Sequence, residues 1–294
     1  MPESFAPKTH VAGSVSFPAQ RGTCMAEQSA NMQRTDYKFV FQLRYDYGNT
    51  YLDRCGVTMN DILQSLPGWE KAGASPQQGT IRDREREITF NFNTLTLDLS
   101  QELSRNISSL VQIDEFAQIA CDLSEKVTAR LEVRDSVTRI GFRVWQLFGH
   151  YDTFDAAREA LLAVALVRLD QFKSCGVDGV KEAGCSVIAD RGTCWTRIAV
   201  AAVEQSVTLD PATLKKKLKS PIYKMPPDQR RTALIDHMKA DKAIKSFPPF
   251  AILVDMDHYL EYPPYPDHLN IRDDFIVQNY GWSKETASKL IQQK

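Results

Sequence analysis

From Tyr37 to Tyr47, apolar and polar positions alternate. Tyr37, Phe39, Phe41, Leu43, Tyr45 and Tyr47 are interleaved with Lys38, Gln42, Arg44 and Asp46. A strand turns successive side chains to opposite faces, so this period of two predicts a strand with one buried face. The period then changes. Met59, Ile62, Leu63 and Leu66 fall at i, i+3, i+4 and i+7, the spacing of one helix face. Thr58 and Asp61 suit a capping pair at its start, and Pro67-Gly68 ends it. The polar run from Lys71 to Glu87 predicts a loop. Beyond it, Ile88, Phe90 and Phe92 share one phase, and Leu95, Leu97 and Leu99 the other. The slip at Asn93-Thr94 implies a bulge or a break between two strands.

Residues 113–123 predict a short helix capped by Asp114. Val127, Ala129, Leu131 and Val133 then alternate, and Asp135-Ser136 turns that strand into a second one over 137–148, an antiparallel hairpin. The stretch 154–172 is the strongest helical signal. Its centre, Leu161 to Val167, carries no charge, which predicts a helix covered on most sides. Residues 185–203 predict another hairpin, 210–219 and 228–244 helices, 250–260 a last strand, and 270–281 and 283–294 two closing helices. The predicted class is α+β: a largely antiparallel sheet with helices on one face. The β-α-β-β order near 37–99 and again near 137–203 implies two similar halves. The expected organisation is a loose arm over 1–35, rich in Pro, Ser, Gln and Ala, a first α+β half over 36–135, and a second over 136–294 that includes the C-terminal helices.

Composition narrows the function classes. The 294 residues are 43% hydrophobic and 25% charged, with a net charge of -1. That is ordinary globular composition, with no global pull towards nucleic acid. No apolar run approaches the roughly 20 residues needed to span a bilayer, and the first 20 residues lack the pattern of a signal peptide. The expectation is a cytoplasmic protein without membrane contact. Its six cysteines (Cys24, Cys55, Cys121, Cys175, Cys185 and Cys194) are then reduced, small buried side chains. Cys185 and Cys194 suit facing hairpin positions better than a zinc knuckle.

Three groups of residues carry candidate chemistry. In the last strand, Phe250, Ile252, Val254, Met256, His258 and Leu260 share the core phase, so Asp255 and Asp257 lie together on the other face, about 7 Å apart. That spacing suits a hard cation, with Asp267 or His268 as further ligands, in a metal-dependent hydrolase. The leading reading of the pair is nonetheless a solvated face, or ion pairs with Arg or Lys across the sheet. The second group is basic: Lys215, Lys216, Lys217, Lys219, Lys224, Arg230 and Arg231, a stretch suited to tracking phosphates or an acidic partner. Third, Trp145 is out of phase with Ile140, Phe142 and Val144. With Arg139 and Arg143 it forms an aromatic-basic strip for a planar or anionic ligand or a partner. His150 has no serine or cysteine to activate, and the common nucleophile, phosphate-loop, zinc-protease and dinucleotide motifs are missing from the sequence.

The strand from Val137 to Phe148, with R-I-G-F-R at Arg139 to Arg143, resembles the central strand of a sporadically distributed, uncharacterised bacterial family. The late strand from Phe250 to Leu260, with Leu253, Val254, Asp255 and Asp257 in an L-x-[VI]-D-x-D pattern, is similar to that family's late strand. The closing stretch with Phe275 and Thr286 resembles its final helical region. Trp145-Gln146 stand where the family usually has aromatic-Asn, and the family's P-P-[IV] start is missing. The resemblance implies an α+β protein from loci linked to mobile elements or defence, and it implies no catalytic residues or cofactor. The expectation is therefore a non-catalytic binding, adaptor or sensor subunit recognising a protein partner or ligand in a phage-defence or toxin-linked system. Nucleic-acid binding and metal-dependent hydrolysis are the alternatives.

Overall fold

The computed structural model describes residues 34–149, 151–164, 184–205, 229, 234, 247–263 and 270–292. The first alternation forms β1 (Arg34–Tyr45), with Phe39, Phe41, Leu43 and Tyr45 buried. Then come α1 (Tyr51–Ser65), β2 (Trp69–Ala74), β3 (Gly79–Asp83), β4 (Ile88–Phe92), β5 (Thr96–Glu102) and α2 (Ile113–Leu131). After a short 3-10 turn come β6 (Val137–Phe148), α3 (Phe154–Val164), β7 (Gly184–Asp190), β8 (Trp195–Glu204) and β9 (Phe250–Glu261). A π-helical segment, Ile271–Val277, leads without a break into α4 (Gln278–Gln292).

The nine strands form one sheet in the order β2-β3-β4-β5-β1-β6-β9-β8-β7. Every neighbouring pair is antiparallel. The described helices cover one face of it. Tyr51 of α1 meets Phe92, Phe116 of α2 meets Phe39 and Phe142, Tyr280 of α4 meets Phe39, and α3 packs on β8, β9 and α4. The core lies between these layers, where Tyr51, Phe39, Phe41, Phe90, Phe116, Phe142 and Phe275 are fully buried.

The sheet repeats one pattern on either side of the β1–β6 pair. Outward from β1 stand β5, β4, β3 and β2; outward from β6 stand β9, β8 and β7. Each half begins with its central strand, passes through a helix to the outer strands, returns inward and ends in a helix. The second half has no described counterpart of β2.

Four expectations are corrected. The polar run 71–87 is not a loop: β2 enters it and β3 lies inside it, because Trp69, Ile81 and Asp83 face inward while charged residues alternate outward. The predicted strand 127–133 is the second half of α2. Ala120, Leu123, Val127 and Leu131 form one buried helix stripe, and the Thr128 hydroxyl donates to the Ser124 carbonyl, so no breaker interrupts the turns. The two closing helices are continuous through Gly281. Finally, α1 starts two turns earlier than Thr58, at Tyr51.

Candidate recognition surface

The second face of the central strands is polar, and register decides what meets there. Trp145 stands opposite Asp255 and Arg143 opposite Asp257. Each arginine reaches diagonally. Arg143 donates two hydrogen bonds to Asp255, at 2.7 and 2.5 Å, a fork-on-carboxylate geometry that fixes both side chains. Arg139 donates to Asp257 at 3.1 Å and lies 4.6 Å over the Tyr259 ring. Burial pushes the Asp257 carboxyl above its usual range, against the pull of Arg139. On β1, Gln42 donates to Asp98 at 2.5 Å, and Lys38 pairs with Glu102 at 2.7 Å.

The same face holds an aromatic cleft. The pairing of β1 with β6 shifts between Asp36 and Lys38, so two β1 residues, Tyr37 and Lys38, face one residue, Trp145. The shift turns Tyr37 away from the core phase of Phe39 and onto the polar face. Its ring stacks on Trp145 at 5.9 Å and meets Phe247 edge-on at 5.0 Å. Leu147, Val203 and Leu253 complete a cleft of about 240 Å³, with Glu204 at its rim. Lys38 Nζ lies 4.7 Å and the Arg143 guanidinium 5.0 Å from the Trp145 ring. The Trp145 indole N–H has no hydrogen-bond partner among the described residues. The Tyr37 hydroxyl bonds Glu102, and burial together with that carboxylate drives its pKa far up.

His258 belongs to the helix-covered face and is fully buried. Its Nδ1 is 2.9 Å from Thr196 Oγ1 and its Nε2 2.7 Å from Ser283 Oγ on α4. The ring is stacked on Phe142 and edge-on to Trp282. Burial pushes its pKa down to about 3, so the imidazole is neutral at ordinary pH. Nearby, Arg191 donates to Asn279 at 2.6 Å and lies 3.9 Å over Trp282. Ser283 and His258 have the spacing of a nucleophile and its base, but both side chains are shut off from solvent. Their geometry fastens α4 to β8 and β9.

The structure thus brings Arg139, Arg143, Trp145, Asp255 and Asp257 together on one face and places His258 on the other. The candidate metal ligands Asp267 and His268, the basic residues Lys215, Lys216, Lys217, Lys219, Lys224, Arg230 and Arg231, and His150 lie outside the described residues. Among the described residues, no three His, Cys, Asp or Glu side chains are grouped to hold a metal, and no helix is long and apolar enough to cross a membrane. The four described cysteines are free, and Cys185 stands opposite Val200 rather than Cys194, which sits at the hairpin turn. Sequence reasoning missed Tyr37, Phe247 and Val203. The extra residue that reorients Tyr37 leaves no mark on its apolar phase, and the other two come from distant segments.

No known protein family matches this chain, and no curated protein matches it either.

Proposed function

We propose that this protein is a non-catalytic binding subunit that recognises a protein partner through the polar face of its sheet, with one partner side chain seated in the Tyr37–Trp145–Phe247 cleft. The observation that carries this reading is the cleft itself: three aromatic rings converge on one sheet face beside two cations. Aromatic pockets ringed by polar groups are where binding energy concentrates at interfaces. Size favours a partner's side chain over a free ligand. About 240 Å³ is below the roughly 300–1,000 Å³ usual for small-molecule sites. The cations beside the cleft are already paired, Lys38 with Glu102 and Arg143 with Asp255. They orient and select a partner more than they attract one sign of charge. Arg143 on Asp255 and Arg139 on Asp257 occupy the two aspartates that a hydrolase would need for a cation. The phage-defence or toxin-linked setting comes with the family resemblance alone, and the test does not depend on it.

The test is affinity capture from the native host at low salt, with wild type and Trp145→Ala side by side, read by native mass spectrometry. The expected result is a protein bound in fixed stoichiometry to wild type and lost from Trp145→Ala. A divalent ion bound instead, and lost in Asp255→Ala, overturns the reading in favour of metal-dependent hydrolysis. Nucleic acid bound without protein overturns it in favour of the basic segment.

A further inference from the structure

The two edges of the sheet are built differently. On β2, Glu70 and Lys71 are charged, the register shifts between Lys71 and Gly73, and Glu70 pairs with Arg84. Charge and irregularity of this kind keep other strands from adding to an edge. On β7 these defences are missing. Gly184 to Ala189 carries no charge, its pairing with β8 runs without a shift, and Val187 and Ile188 are 49% and 60% exposed. The repeat within the fold shows what the edge lacks. In the first half β3 is flanked by β2, whereas β7, which occupies the place of β3, has no described outer neighbour.

We infer that β7 pairs with β7 of a second copy of this chain, antiparallel about a twofold axis at Val187, which joins the two sheets into one. Backbone direction supports this register. The Arg191 N–H donates to the Cys194 carbonyl at 3.1 Å, which makes 191 and 194 a hydrogen-bonded pair. Bonded and non-bonded pairs alternate along an antiparallel ladder. Gly184, Ser186, Ile188 and Asp190 therefore turn their N–H and C=O groups away from β8, towards the edge that no described strand covers. A twofold at Val187 sets Ser186 against Ile188 and Gly184 against Asp190, so every outward group meets an outward group over the whole strand. Charge agrees with the match. Asp190 is the one charged residue of β7, and it meets a glycine, so no like charges are opposed. Val187 faces its own copy on the helix side, and Ile188 packs beside Ser186 on the polar side. Such self-matching is what an isologous contact requires. Seven residues make a small interface, so the assembly is a weak, concentration-dependent dimer.

The test is sedimentation velocity of the full chain across a dilution series, with two variants. Wild type is expected to pass from monomer to dimer, and Val187→Lys to stay monomeric at every concentration. In the proposed register Cys185 faces Ala189 of the other copy at a non-hydrogen-bonded pair, where β-carbons approach closely enough for a disulfide. Ala189→Cys is therefore expected to give a covalent dimer on mild oxidation, and Cys185→Ser in that background to abolish it. This arm does not depend on how well Val187→Lys folds. A wild type that stays monomeric throughout overturns the inference. So does a dimer that Val187→Lys leaves intact and that Ala189→Cys fails to link.

Discussion

Single residues in this protein divide between holding the fold and presenting a surface. His258 does the first. It is buried between Thr196 and Ser283 with its pKa lowered to about 3, while an unfolded chain would titrate it near 6.5. Between those values the unfolded state binds a proton that the folded state refuses. Its contribution is fully present above about pH 6.5 and is lost as pH falls towards 3, at about 1.4 kcal/mol per pH unit. Denaturant unfolding at pH 7.5 and pH 5.5 is expected to show that loss in wild type, and His258→Gln, although less stable overall, is expected to lose the slope. An equal slope in both would place the titration elsewhere. Trp145 does the second job, and its phase against Ile140, Phe142 and Val144 was enough to put it on the polar face. So was the phase of Asp255 and Asp257, although the sequence could not decide between a cation and arginines as their partners. Tyr37 was not legible, because a bulge moves a side chain to the other face without changing the alternation around it.

At the scale of elements, most of the clear strand alternations held and the ambiguous ones did not. β1, β4, β6 and β9 follow their alternation. The stretch 127–133 alternates too, yet its apolar residues also continue the i, i+4 stripe from Ala120, and packing against the sheet chose the helix. β2 and β3 were hidden by their charge, since an outer hairpin buries few side chains. The end of α2 has a specific cost. Glu132 sits there in a left-handed conformation, φ 57°, with its N–H bonded back to Ala129 and Thr128. A side chain is unfavourable in that geometry and glycine is not. Glu132→Gly is expected to stabilise the protein by about 0.5–1 kcal/mol, against the loss of an exposed pair with Arg54 that contributes little. Thermal unfolding checks it, and a lower melting temperature would show that the Arg54 pair outweighs the backbone.

The described residues form one sheet with a similar strand order on either side of β1 and β6, the described helices on one face and a polar, aromatic surface on the other. A repeated β-α-β-β order was read from the sequence near 37–99 and 137–203, but β2 and β3, which complete the first half, were not. Nor was the pairing that joins the halves, because β1 and β6 are about 100 residues apart and alternation says nothing about which strands meet. The β7 edge and the cleft are the two places proposed above for other molecules. The measurement that tests the central claim most directly is site-specific photocrosslinking in host cells. A benzophenone amino acid would replace Val203, which lines the cleft, or Leu52, which is 61% exposed on α1. The account predicts one discrete protein adduct from position 203 and none from position 52. No adduct at 203, or the same adducts from both positions, would contradict it.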